Sequence, residues 1–251
     1  MKLVKPDLYL HLGWFDLPVV EEICTAKAPA SMQGLRMLFV SDIHLRRQVP
    51  DDKLEALISL LAAQKADLIL LGGDYGEQAE QTERFFRAFA RLQPPLGSFA
   101  VLGNNDREFF PETDVLKALM QSCGVRLLVN ESVQLNGDVE IGGCDEYKHG
   151  SPQTEKIFHS SAYRILLSHF PVKPECRCDL MLSGHTHGGQ FNVLGITPYI
   201  IGFEHGYKIE TISGMTRLDD TALLTSKGIG MSKLPLRIGV RPQVHLVKFT
   251  G

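Results

Sequence analysis

A chain of 251 residues, 44% hydrophobic and 22% charged, has the balance of a soluble globular protein able to bury a sizeable core. A net charge of -3 and a pI near 6.3 give no footprint of the basic face that general nucleic-acid binding usually needs, and leave room for a local basic patch. Five cysteines, Cys24, Cys123, Cys144, Cys176 and Cys178, are odd in number and nowhere spaced C-x-x-C, so free thiols in a reducing, cytoplasmic compartment are expected rather than a disulfide framework.

Lys2 and Lys5 precede an apolar stretch that His11, Gly13 and Asp16 interrupt before it reaches the length of a signal peptide or membrane span. Trp14, Phe15, Leu17, Val19 and Val20 then read as cover for one edge of the core, with peripheral membrane contact as the sharper alternative. Residues 1–34 show no strong period and end at Pro29 and Gly34. They are expected to form an arm packed on a single domain spanning 1–251.

The pattern then sharpens. Met37-Leu38-Phe39-Val40 is an apolar run of buried-strand type that empties into Ser41-Asp42-Ile43-His44. Past Pro50, Asp52 and Glu55 suggest a capping pair for a helix over about 51–65, with Leu54, Leu57, Ile58 and Leu61 at helical spacing. The strand 67–71 delivers Gly72-Gly73-Asp74-Tyr75-Gly76, and a second helix carrying Phe85, Phe89 and Leu92 on one face stops at Pro94-Pro95. Arg84, Arg87 and Arg91 of that helix read as a solvated face. The strand 98–102 ends in Gly103-Asn104-Asn105-Asp106. Apolar runs alternating with helices imply parallel strands joined by right-handed crossovers, with the polar turns at the carboxyl ends where open α/β sheets place their sites.

After a third helix near 112–122, short β-type segments follow at 125–129, 131–135 and 138–142. The run 163–167 delivers Ser168-His169, and 179–182 delivers Ser183-Gly184-His185-Thr186-His187-Gly188-Gly189-Gln190. Strand-like runs at 207–212, 221–225 and 243–249 are expected to complete a second sheet.

Five strand ends therefore supply Asp42, His44, Asp74, Asn104, His169, His185 and His187. Two carboxylates, four imidazoles and an amide oxygen suit Mn, Fe, Zn, Co or Ni, and suit Ca or Mg poorly. Seven donors exceed one tetrahedral ion and fit two ions sharing a bridging carboxylate about 3.5–4 Å apart. Cys176 and Cys178 lack further nearby ligands and read as strand thiols.

The ordered set Asp42-Ile43-His44, Gly73-Asp74, Gly103-Asn104, His169 and Gly184-His185-Thr186-His187 resembles the calcineurin-like metallophosphoesterase superfamily. Further along, Gly188-Gly189-Gln190, Ser226-Lys227-Gly228-Ile229-Gly230 and Pro235-Leu236-Arg237-Ile238-Gly239 with Arg241-Pro242 resemble its YkuE/YaeI-like branch. The resemblance implies an α/β fold, a four-layer αββα sandwich of two mixed sheets flanked by helices. It implies two divalent ions, Mn, Fe or Zn with Ni or Co compatible, one held by Asp42, His44, Asp74 and His187, the other by Asp74, Asn104, His169 and His185. It also implies a metal-bound hydroxide that attacks phosphorus in line while the ions neutralise developing charge.

One position departs from the family. Its usual histidine after Gly-Asn, which stabilises the transition state or protonates the leaving group, is Asn105 here, and an amide cannot transfer a proton. The expected substrates are therefore phosphodiesters or phosphoanhydrides with good leaving groups, small or lipid-linked, a sugar-nucleotide lipid precursor being the sharpest version. Asp106, which would orient the missing histidine, is left to pair with Arg107 or a backbone amide. His149 and His205, in glycine-flanked loops, are candidates for the missing role. The apolar stretch from Phe191 to Phe203 beside the site reads as a lid, an acyl-chain groove or cover for the sheet edge. A second reading, favoured by Asn105, is a metal-binding scaffold with this fold and little catalysis.

Overall fold

The structure is a computed structural model that describes residues 7–25, 28–160, 162–198, 203–204 (backbone alone) and 206–250. In chain order its strands are β1 Leu10–Leu12, β2 Val19–Thr25, β3 Arg36–Val40, β4 Leu68–Leu71, β5 Ser98–Ala100, β6 Val125–Leu127, β7 Glu131–Gln134, β8 Val139–Gly143, β9 Tyr163–Leu167, β10 Leu180–Ser183, β11 Phe203–Glu204, β12 Tyr207–Lys208, β13 Gly214–Leu218, β14 Thr221–Thr225, β15 Leu236–Ile238 and β16 Gln243–Phe249. The α-helices are α1 Asp51–Ala63, α2 Ala79–Phe89, α3 Asn104–Phe109 and α4 Thr113–Ser122.

Two mixed six-stranded sheets carry the fold, in the orders β2-β16-β3-β4-β5-β6 and β13-β14-β10-β9-β8-β7. Strands β3 to β6 are parallel, as the alternation of strand and helix requires, and so are β8, β9, β10 and β14. Period-two alternation sorts the apolar side chains into layers. Met37, Phe39, Leu68 and Leu70 point to a core shared with Ile165, Leu167, Leu180 and Leu182 of the second sheet. Leu38, Val40, Ile69 and Leu71 face the other way, against Leu54, Leu57, Phe85 and Phe89 of α1 and α2. On the far side of the second sheet Leu166, Met181 and Leu223 meet Ile157 and Cys178, under loops and a 3-10 turn at Thr154–Lys156.

Four expectations change. The run 207–212 does not join the second sheet: its only strand, β12, pairs with β11 in a separate two-stranded ribbon. The segment 243–249 does not join the second sheet: β16 inserts into the first, parallel to β2 and antiparallel to β3. This makes β2, drawn from residues 1–34, an edge strand of the main sheet rather than part of a packed arm. The alternation of Val19–Thr25 is weak because an edge strand buries little of either face. At α1, Asp52 and Glu55 form no capping box: Pro50 occupies the N-cap, Asp51 binds Arg84 and Glu55 binds Arg91 at 2.6 Å. Arg84 and Arg91 thus tie α2 to α1, while Arg87 pairs with Glu83 on the exposed face. Trp14, Phe15 and Val20 pack against the helix-side core, and the Arg46 guanidinium stacks 3.7 Å over the Trp14 ring.

Candidate metal centre

All five strand-end turns meet at the carboxyl edge of the two sheets. Pairing between β3 and β4 continues past both strands, with Asp42 N donating to Gly73 O and His44 N to Asp74 O, so the turns that carry Asp42, His44 and Asp74 run side by side. Asp42, His44, Asp74, His185 and His187 all adopt positive φ, between 44° and 69°. For residues with a Cβ this left-handed backbone costs roughly 1–2 kcal/mol each, and such strain collects at functional sites. Glycines make the turns possible: a Cβ on Gly103 would sit 2.1 Å from Asp74 Oδ1, and one on Gly184 2.1 Å from Asp42 Oδ2.

The side chains form two overlapping groups, Asp42 with His44 and His187, and Asp42 with Asp74 and His169, each offering ligand atoms within 4.8 Å of one another. Asp74 Oδ2 lies 3.4 Å from His44 Nε2 and 3.5 Å from His169 Nε2. His185 Nδ1 lies 3.0 Å from Asn104 Oδ1 and 3.3 Å from His169 Nε2. His187 Nε2 faces His44 Nε2 at 3.0 Å and Asp42 Oδ1 at 3.6 Å.

Tautomers follow from the outer contacts. His44 Nδ1 donates to Glu77 Oε1 at 2.5 Å and His169 Nδ1 to Gly72 O at 2.7 Å, which leaves the Nε2 lone pair of each ring pointing inward. Buried lone pairs and carboxylate oxygens thus converge, an arrangement that repels itself unless protons or cations lie between. Oxygen and imidazole donors of this kind fit divalent transition ions.

Without an ion, protons must compensate. Burial lowers the pKa of His169, but the Asp74 carboxylate more than reverses this and pushes it to about 10. At His44, burial is likewise outweighed by the Glu77 hydrogen bond and the Asp74 charge, and the pKa rises. Asp74 is held low: burial would raise it, yet His169 and His44 overcome that. His187 is driven the other way, first by burial and then by His44 and Arg237. A histidine raised from about 6.5 to about 10 adds stability that is complete below about pH 6.5 and lost as the pH climbs to 10. The metal-free protein should therefore melt at lower temperature near pH 9 than near pH 7. Because an ion must displace those protons, the melting increment given by added Mn²⁺ should be larger at the higher pH. Thermal scans with chelator or Mn²⁺ check both signs.

Asp106 is buried and turned away from Arg107, which binds Asp145 at 2.8 Å instead. It takes the backbone-amide option, accepting from Asp74 N, Gly103 N and Tyr75 N at 2.7, 2.8 and 3.1 Å. Burial and the Asp74 charge push its pKa up to about 7 against those three donors. Asp106→Asn places an amide NH₂ against amide donors and should cost about 2–4 kcal/mol of stability, together with metal retention, as denaturant unfolding and metal analysis would read.

Above the ligand atoms lies a cleft of about 340 Å³, lined by His44, Asp74, Asn104, His185 and His187 below and by Asn105, Lys148, Phe191, Pro198, Lys233 and Leu234 around the mouth. Asn105 donates through Nδ2 to Glu77 Oε1 at 3.1 Å, and its backbone N donates to Asp74 Oδ1 at 2.9 Å. His149 is exposed and does not line this cleft; its neighbour Lys148 does, in a loop pinned by buried Glu146, which accepts from the backbone N of Lys148 and His149. His205 lies outside the described residues. Of the Phe191–Phe203 stretch, Phe191 and Pro198 reach the cleft while Val193, Leu194 and Ile196 are exposed, and residues 199–202 lie outside the described residues.

Sequence reading missed Glu77 and Lys148, and quoted Arg237 as part of a motif without placing it at the site. Glu77 was visible as a carboxylate three residues past Asp74 in the same turn. Arg237 stood in an apolar strand, where a cation must be buried and held. It is fully buried, with Nη2 on the carbonyls of Lys227 and Gly230 and 3.3 Å from His187 Nδ1, and burial lowers its pKa to about 10.

Paired sheets carrying carboxylates and imidazoles on their joined edge define a metal-dependent phosphoesterase. A family model for calcineurin-like phosphoesterases matches residues 35–189, and the chain belongs to that family of hydrolases, which use divalent metals. It is 30% identical over 257 residues to an uncharacterized metallophosphoesterase of Aquifex aeolicus, covering 97% of this chain and 95% of that one. It is also 30% identical over 253 residues to the phosphodiesterase YaeI of Escherichia coli, covering 96% and 90%. A solved structure superposes with a TM-score of 0.52 at 12% identity, covering 77% of this chain and 90% of the other, a likeness of fold alone.

Proposed function

We propose that this protein is a dinuclear metal-dependent phosphohydrolase that cleaves a phosphodiester or phosphoanhydride whose leaving group departs without a proton. The observation that carries the reading is Asp74 Oδ2, set between the inward nitrogens of His44 and His169. In this reading Asp42, His44, Asp74 and His187 hold one ion, and Asp74, Asn104, His169 and His185 hold the other. The ions, when bound, acidify a water and neutralise charge developing on the phosphoryl oxygens.

The chain's own groups shape the substrate. Asn105 offers the phosphoryl group an amide that can donate but not titrate, and Glu77 fixes that amide's orientation. Lys148 and Lys233 at the mouth favour a second anionic group, as in a diphosphate, and Phe191, Pro198 and Leu234 favour an apolar portion beyond it. A lipid-linked diphosphate satisfies both features. The name of the Escherichia coli relative supports diester cleavage. Five free cysteines support a reducing, cytoplasmic setting.

The test is turnover, in added Mn²⁺, of an aryl phosphodiester, a nucleotide diphosphate conjugate and an alkyl monoester. The first two should exceed the third by about 10²-fold or more. Fastest turnover of the alkyl monoester would overturn the leaving-group assignment, and two bound metals with no turnover at all would favour the scaffold reading that Asn105 invites.

A further inference from the structure

Large apolar side chains are commonly exposed singly on soluble proteins, whereas contiguous exposure marks a binding surface. Here they are not scattered. Among the described residues twelve large hydrophobics are exposed, and seven of them fall on three short segments: Leu8, Leu10 and Leu12; Val193, Leu194 and Ile196; and Leu234.

Backbone pairing makes these segments neighbours. Strand β1 pairs antiparallel with β15, Leu10 opposite Ile238 and Leu12 opposite Leu236, and Phe191 bridges to Ile238 from the other side. Gln190 Nε2 donates to the carbonyls of Leu234 and Leu236, fixing the start of the third segment. Residues opposite each other on paired strands share a face, and neighbours along a strand alternate. Arg237 turns inward to His187, so Leu236 and Ile238 turn outward with Leu10 and Leu12, which are 68% and 76% exposed.

Charge selects the occupant. From His185 to Phe203 the sequence has no Asp, Glu, Lys or Arg, and from Gly228 to His245 it has no acid and two exposed cations, Lys233 and Arg241, Arg237 being buried. Of the nearby acids of the N-terminal segment, Asp7 is paired with Lys227 at 3.2 Å, while Asp16 accepts from the Tyr9 hydroxyl at 2.7 Å and lies 3.7 Å from His11 Nδ1. An apolar face edged by Lys233 and Arg241, with Asp16 as the one nearby N-terminal acid not paired to a Lys or Arg, matches the surface of an anionic bilayer, where inserted side chains and basic residues add to binding.

We infer that the β1-β15 ribbon and the turn 193–196 form a face that docks this protein onto anionic membranes, with the cleft opening at the lipid surface. Phe191, Lys233 and Leu234 belong to the cleft mouth and adjoin this face, so a phosphate ester held in the facing leaflet of the docked membrane meets the cleft directly. Docking stands apart from the reaction proposed above, and its test reads binding rather than turnover.

The full chain is floated with vesicles of phosphatidylcholine alone and of phosphatidylcholine mixed with phosphatidylglycerol. The wild type should float with the mixed vesicles, less with the neutral ones, and less again at high salt. The pairs Leu10→Ser with Leu12→Ser and Leu194→Ser with Ile196→Ser should each lower the bound fraction by about tenfold or more, since each inserted leucine contributes about tenfold or more to partitioning. Turnover of a soluble aryl phosphodiester by these variants should stay unchanged, which separates lost docking from lost fold. Wild-type protein that stays unbound on both vesicles, variants that float like it, or a solution dimer that the same substitutions split into monomers would overturn the inference.

Discussion

Asp74→Ala should abolish metal-dependent hydrolysis, lowering turnover of an aryl phosphodiester by about 10³-fold or more while leaving the secondary structure in place. The proposed arrangement asks Asp74 to serve both ions, and its carboxylate also holds Asn105 N at 2.9 Å and stands beside the inward nitrogens of His44 and His169. Its removal leaves each proposed ion one anionic donor short. It also removes the charge that chiefly raises the pKa of buried His169, and leaves His44 raised by Glu77 and Asp42 without Asp74. Metal analysis should find fewer than two ions per chain, and proton NMR should find His169 titrating far below its value of about 10 in the metal-free wild type. Loss of several kcal/mol of transition-state charge stabilisation accounts for the expected rate effect. Activity that survives this substitution would place the reaction elsewhere in the molecule.

Asn105→His should produce a gain. The Asn105 side chain lines the cleft and already touches Glu77, whose second oxygen binds Arg46 at 3.1 Å, and Arg46 in turn stacks on Trp14. A histidine at 105 would meet a carboxylate placed to orient it and raise its pKa, the pairing a general acid needs. Turnover of the alkyl monoester should rise by about 10²-fold relative to the aryl diester, and its pH profile should acquire a new descending limb. Equal gains for both substrates, or none, would mean that leaving-group protonation does not set the preference. Glu77→Gln in the histidine background should remove most of the gain.

Much of this was legible because catalytic geometry and strand ends coincide. Each apolar run that read as a strand ended in a polar turn, and parallel pairing of β3, β4 and β5, and of β9 and β10, carries those turns to one edge. A residue's place at the end of a buried strand is a local property, and local properties are what periodicity records. Long-range pairing is different. Nothing in Gln243–Phe249 says that it inserts between Val19–Thr25 and Arg36–Val40, because its apolar pattern suits either sheet equally. Asp106 illustrates the same limit. An acid in a glycine turn beside Arg107 reads equally as an ion pair or as an acceptor for backbone amides, and only the fold decides, bringing three amides onto it while Arg107 swings to Asp145. Lys148 entered the cleft in place of His149 because Glu146 captures the intervening amides, a contact invisible in the order of residues.

The left-handed backbone at Asp42, His44, Asp74, His185 and His187 has one further consequence. These residues hold their unusual torsions through contacts that the chain makes with itself, such as His185 N on Asp42 and Ile229 N on the Asp42 carbonyl. The ordering cost of the proposed ligand shell therefore falls on folding rather than on ion capture, and a cation would meet a rigid receptacle. Loading should then be governed by how quickly the incoming ion sheds its water, and exchange of one transition metal for another should leave the loops where they stand.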